Sequence, residues 1–224
     1  MFNQPFNLRS VTANLIIINI VFFLINNVVG VKMVEYCALF YPASPFFKPI
    51  QLVTHMFMHG GVGHIFGNML ALFMFGSALE RVWGPKRFLV FYFVTGLGAA
   101  VLYMGVQAFI VYNFTGSIHP SVEKVNEFTK VLQIYGTPVL GASGAVFGIL
   151  VAFGMLFPNS EILLLIFPVP IKAKYFVSIY FLYELYEGIA NNPGDEVAHF
   201  AHVGGAVFGF ILVKLWNRNR DYLY

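Results

Sequence analysis

Residues 11–30, VTANLIIINIVFFLINNVVG, carry no charged side chain. Coiled as a helix at about 1.5 Å per residue, such a run reaches roughly 30 Å, the thickness of a bilayer's hydrocarbon core. Lipid offers the backbone no hydrogen bonds, so a segment placed there must satisfy its own N–H and C=O groups. Further runs read the same way at 64–83, 88–111, 141–157, 174–189 and 197–216. The pattern predicts an all-α polytopic membrane protein with six transmembrane helices, organised as a single domain over 1–224 and without an internal repeat. Composition agrees, since 58% of residues are hydrophobic and 10% charged, against about 25% charged in soluble domains.

The first run is longer than the apolar core of a signal peptide and more spans follow it, so no cleavable leader is expected. EILLLIFPVPI (161–171) is apolar but too short to cross, and is expected to be a surface or partly buried loop. Residues 31–63, rich in proline, glycine and aromatics, are expected at the membrane interface; residues 114–138 are polar. With these spans, Arg9, Arg81, Lys86, Arg87, Lys172, Lys174, Lys214, Arg218 and Arg220 fall on one side, and Lys32, Lys48, Lys124 and Lys130 on the other. The excess of positive charge marks the cytosolic side, which holds both termini. A formal charge of +3 spread over loops gives no sign of a nucleic-acid partner. The one cysteine, Cys37, excludes an internal disulfide and an all-cysteine metal site.

Three polar clusters then converge on the outer face. In LGASGAVFG, Ser143 stands at the head of the fourth span. Gly144 and Gly148 form a small-residue face suited to helix packing, and packing alone would account for a lone serine there. From Ser143 to Phe157 the helix covers only ~22 Å, so the serine lies below the outer interface, in a cavity or against protein. A helix N-terminus also presents free N–H groups and a positive dipole end to any developing oxyanion. In HVGGAVFG, His202, Gly205 and Gly209 share one face, and a close partner such as the Gly144/Gly148 helix would bring the imidazole toward Ser143 as a general base. His199 lies one turn earlier and could support it. In THMFMHGGVGHIFGN, His64 and Asn68 are one turn apart and can both donate hydrogen bonds, while His55 and His59 could orient the loop. Histidines in this number also suit a metal or haem site, but no HExxH motif or cysteine pair accompanies them. Glu80 near the inner end of the second span is expected to brace the turn at Gly84 and Pro85.

Taken together, Gly141-Ala142-Ser143-Gly144, Ala201-His202-Val203-Gly204-Gly205-Ala206-Val207-Phe208-Gly209 and the His59, His64, Asn68 spacing resemble the rhomboid family of intramembrane serine proteases. The resemblance runs from about Val11 to Trp216 and is to the six-span bacterial form. It implies a rhomboid-like bundle, with Ser143 as nucleophile and His202 as its base in a dyad without a third acid. It further implies an oxyanion hole from His64, Asn68 and the Ser143 N–H, room for a substrate carbonyl at Gly141, and Phe147 stacked on His202. His59 and His199 would support the site. No cofactor or metal is implied. The implied partners are single-span membrane proteins cleaved within the bilayer, and the implied location is a bacterial inner membrane with the site opening outward. Where many relatives carry Trp-Arg in the first loop, this chain has Ile50-Gln51. Two other readings remain open: a non-enzymatic relative that binds membrane clients, and a His-ligated metal or haem membrane protein. Nothing in the sequence speaks to oligomeric state.

Overall fold

The computed structural model describes residues 8–164, 167–190 and 198–217. Val11–Val29 forms α1. A helix start leaves four N–H groups without partners, and here other residues meet them. Ser10 Oγ accepts from the Ala13 N–H at 3.1 Å. The Glu80 carboxylate accepts from the Val11 and Thr12 N–H groups, each at 2.8 Å, and from the Thr12 hydroxyl at 2.6 Å. This corrects the expectation that Glu80 braces the Gly84–Pro85 turn. A helix N-terminus is a stronger attractor for a carboxylate than a turn, because its dipole and its free donors act together.

The first loop contains α2 (Val31–Cys37), α3 (Gln51–Thr54) and a single 3-10 turn at His55–Phe57. The second span, Val62–Trp83, consists of α4 (Val62–Ala71), a π-type widening at Leu72–Gly76 and α5 (Ser77–Trp83). Gly84, at φ +76°, turns the chain, and Pro85 opens α6 (Pro85–Thr115). The polar stretch after it folds into α7 (Val122–Glu127) and α8 (Thr129–Gly136) over a small cluster that includes Val111, Val125, Val131 and Tyr135. Then come α9 (Ser143–Leu156), strands β1 (Glu161–Leu164) and β2 (Phe167–Lys172), α10 (Ala173–Ala190) and α11 (His199–Asn217).

Among the described residues, four helices are long and apolar enough to cross a membrane: Val11–Val29, Val62–Trp83, Pro85–Thr115 and His199–Asn217. The stretch read as a fourth span is α9, only 14 residues long, or about 21 Å. The fifth is α10, 18 residues long, which carries Lys174, Glu184 and Glu187. α9 nevertheless occupies the centre of the fold, with 10 of its 14 residues buried. A helix shorter than the hydrocarbon layer suits this position, because protein rather than lipid surrounds its ends.

Glycines set how closely α9 and α11 approach. A Cβ on Gly205 would strike the Gly144 carbonyl, and one on Gly209 would lie 2.8 Å from the Gly148 Cα. The two small-residue faces read from the sequence therefore meet each other.

The run 161–171, expected as a loop, is instead an antiparallel hairpin pairing Glu161 with Lys172 and Ile162 with Ile171. Among the described residues, the other regular elements are helices, with one isolated bridge between Leu39 and Val139. Short apolar runs with prolines do not distinguish a loop from an edge strand, because proline is tolerated at a sheet edge. Ile162 is buried and joins the main core.

Candidate active site

The chain approaches Ser143 under tight backbone control. Leu39 and Val139 exchange N–H···O=C bonds at 2.8 Å, and the Gly141 N–H donates to the His55 carbonyl at 2.9 Å. Gly141 sits at φ +139°, a conformation that side chains rarely adopt. A Cβ there would lie 3.0 Å from Cε1 and Nε2 of His64 and 3.3 Å from Ser143 Oγ. The His64 ring and the Ser143 hydroxyl thus converge on the Gly141 Cα more closely than a side chain there would allow. Ser143 is half-buried and begins α9, whose N-terminus no side chain caps. Its first N–H groups therefore point out at the same end as the hydroxyl.

His202 lies in the first turn and a half of α11 and is buried. Its ring stacks on Phe147 with centroids 4.4 Å apart and planes 8° from parallel. Tyr180 of α10 packs on Phe147 at 4.8 Å. The Gly144–Gly205 contact draws Ser143 and His202 to abutting helix starts, although no direct hydrogen bond links the two side chains in this conformation. Catalytic hydrogen bonds commonly close only once substrate is bound.

The resemblance implies a base with no acid behind it, and here the structure differs. His202 Nδ1 is 2.7 Å from Glu184 Oε2, and His199 Nδ1 is 2.7 Å from the same oxygen. Glu184 is 3% exposed. On α10 only Ala173 and Glu184 are fully buried, so this helix turns a carboxylate inward beside Phe176, Val177 and Tyr180, which pack half-buried against the core. Sequence reasoning passes over Glu184 because His199 and His202 lie 15 and 18 residues further on, on a separate helix. The available signal is a carboxylate inside an apolar helix, which rarely occurs without a role. Ligand atoms of Glu184, His199 and His202 lie within 4.8 Å of one another, so a metal ion could also use this group; two N–H···O bonds to one oxygen account for the spacing equally well.

His64 is exposed at the start of α4, and the Gly60 N–H faces its Nδ1 at 3.4 Å. Asn68 is buried and donates one amide N–H to the His64 carbonyl at 2.9 Å. An amide carries two such hydrogens, so one remains available. His59 is fully buried and meets the His64 ring edge-on at 5.0 Å, with neither nitrogen in hydrogen-bond geometry with a described residue. Burial, with a smaller contribution from the neighbouring His64, pushes its pKa down to about 4. His55 Nδ1 donates to the Gln51 carbonyl at 2.7 Å. Burial takes its pKa to about 4 as well, against the opposing effect of the Gln51 and Leu52 carbonyls. Both histidines are neutral at pH 7.

Gln51 organises the first loop. Fully buried, it accepts from the Lys48 and Phe40 N–H groups at 3.0 and 3.4 Å and donates to the Glu35 and Phe46 carbonyls, each at 2.9 Å. Ile50 beside it is exposed.

These features define a helical integral membrane protein with a serine, a histidine and a carboxylate gathered around glycine-packed helix starts. A profile of the rhomboid domain matches residues 47–218, and the chain belongs to the rhomboid family. It is 32% identical over 173 residues to RHOMBOID-like protein 12, mitochondrial, of Arabidopsis thaliana, covering 75% of this chain and 46% of that one. It is 33% identical over 121 residues to Rhomboid protein 1, mitochondrial, of Saccharomyces cerevisiae, covering 54% and 29%. With Rhomboid protease AarA of Providencia stuartii the identity is 29% over 161 residues, covering 70% and 52%. The chain thus spans about half or less of the length of these relatives, two of which are mitochondrial.

Proposed function

We propose that this protein is an intramembrane serine endopeptidase that cleaves single-span membrane proteins. The observation that carries the reading is the convergence of Ser143 Oγ and the His64 ring at Gly141, at the uncapped start of α9, the helix whose Phe147 stacks on the His202 ring. A peptide carbonyl presented to this end of α9 would meet a nucleophile together with hydrogen-bond donors. Ser143 attacks while His202 Nε2 takes its proton. The Ser143 N–H, His64 and the spare Asn68 N–H stabilise the oxyanion. Water then hydrolyses the acyl-enzyme, with no cofactor in the cycle. The substrate helix unwinds first, because a carbonyl locked in a helix is not open to attack. In this reading α9 and α10 complete a six-span bundle, both termini are cytosolic and the site opens to the outer face, as in the bacterial form.

The experiment is cleavage of a model single-span substrate in detergent, with fluorophosphonate labelling alongside. Ser143→Ala should lower cleavage by about 10³-fold or more and abolish labelling. Cleavage equal to the parent's would remove the assignment. A parent protein that binds such substrates without cleaving or labelling would favour the non-enzymatic client-binding reading instead.

A further inference from the structure

The carboxylate behind His202 has no place in a two-residue catalytic scheme. We propose that Glu184 is a positioning residue that completes a Ser143–His202–Glu184 triad, with His199 as a second clamp on the same carboxylate. This rests on the protease reading above and adds a component to it.

Three observations support the assignment. The first is geometric: Oε2 of Glu184 lies 2.7 Å from Nδ1 of His202 and 2.7 Å from Nδ1 of His199. An ionised carboxylate only accepts hydrogen bonds, so each Nδ1 carries a hydrogen and donates it. In a neutral imidazole this leaves Nε2 unprotonated. His202 is therefore held in the tautomer that a general base requires. The second is burial: Glu184 is 3% exposed, on a helix whose other buried residue is the small Ala173. Turning a carboxylate away from water is costly unless charged or strongly donating partners receive it, and the two histidines are those partners. The third is orientation. Phe147 fixes the plane of the His202 ring at 4.4 Å, but stacking alone leaves the ring free to turn within that plane. The bond from Nδ1 removes this freedom, so ring and carboxylate together set the direction of Nε2.

The protons balance without any change at Glu184. As Ser143 Oγ bonds to the substrate carbonyl carbon, its proton moves to His202 Nε2. The imidazolium then gives that proton to the leaving amine nitrogen as the C–N bond breaks. In deacylation a water loses a proton to Nε2 while its oxygen attacks, and that proton returns to Ser143 Oγ as the acyl bond breaks. Glu184 stays ionised throughout. Its charge faces the imidazolium in a medium of low dielectric, where such an interaction is far stronger than in water. His199 holds the carboxylate from the preceding turn of α11, so Oε2 is fixed before the proton moves.

A carboxylate that only ties α10 to α11 would give the same distances, so the test must read more than stability. The full-length protein in detergent is assayed as parent, Glu184→Gln and Glu184→Asp, with Ser143→Ala as the blank. Thermal unfolding is measured on each. Gln keeps the shape but has no charge, and either end of its amide can face the rings, so the tautomer is no longer fixed. The expected result is a fall in kcat of ~100-fold or more for Glu184→Gln, with KM within about threefold of the parent, a matching loss of fluorophosphonate labelling rate and partial recovery in Glu184→Asp. A folded Glu184→Gln protein with kcat within threefold of the parent overturns the proposal. So does loss of activity that only follows loss of folding, with no recovery in Glu184→Asp. A second measurement needs no variant at Glu184: nitrogen-15 NMR of histidine-labelled parent at pH 8, with His202 assigned by Ser143→Ala/His202→Gln comparison. It should show Nδ1 protonated and Nε2 bare. The opposite tautomer refutes the proposal even if Glu184→Gln does not fold. A parent that neither cleaves nor labels refutes the protease reading, and the NMR result still decides the hydrogen-bond assignment.

Discussion

Removing the Gln51 side chain would leave four backbone groups of the first loop without their partner: the N–H groups of Phe40 and Lys48 and the carbonyls of Glu35 and Phe46. The site is fully buried, so water cannot readily replace the amide. Gln51→Ala is expected to cost about 2–3 kcal/mol, read as a lowered midpoint of thermal unfolding in detergent. The same loop carries a pH response. His55 and His59 have folded pKa values near 4, below the ~6.5 of an exposed histidine. The folded state thus binds fewer protons than the unfolded one across that window. The stability they contribute is complete above pH 6.5 and is lost as pH falls from 6.5 toward 4, by about 2–3 kcal/mol per histidine. Unfolding temperature should be flat from pH 7 to 8 and drop steeply between 6.5 and 4; a flat profile down to pH 4.5 would contradict the burial of neutral rings. Ser143, His202, His64 and Asn68 enter the candidate site through motif spacing in the sequence. Glu184 does not, since only the packing of α10 on α11 decides whether a glutamate in an apolar helix faces lipid, water or a histidine.

At the scale of elements, the helix starts carry the site, and glycine sets their spacing. A Cβ on Gly205 meets the Gly144 carbonyl, a backbone atom that no side-chain rotation can move aside. Gly205→Ala should destabilise by about 1–3 kcal/mol. It should also reduce cleavage more than stability, because α11 carries His202 and α9 carries Ser143. Unfolding midpoints and kcat measured on the same preparation would check this, and an unaffected kcat would mean that the α9–α11 spacing does not govern the chemistry. Small-xxx-small spacing is visible in a sequence, which is why this contact was foreseen. The hairpin at 161–172 was not. Its run is apolar from Ile162 to Ile171, so it lacks the alternation that marks a half-buried strand, and pairing between Glu161 and Lys172 is a fact of chain reversal rather than of local pattern.

At the scale of the whole molecule, apolar length identifies the membrane-crossing helices, and burial explains where that reading falls short. α1, the second span, α6 and α11 reach the required length with little charge. α9 and α10 do not, and these two helices hold Ser143 and Glu184. α9 has 14 residues and α10 carries Lys174, Glu184 and Glu187, so apolar length alone passes over both.

The Glu80 carboxylate has a consequence for how the chain is made. It closes onto the first turn of α1 through Val11 and Thr12. Both halves of that clasp therefore exist once synthesis has passed Trp83, well before Ser143, Glu184 or His202 has been translated. The first two spans can lock together in the bilayer as an early assembled pair, and the later helices then insert against a template already fixed at the Glu80 end.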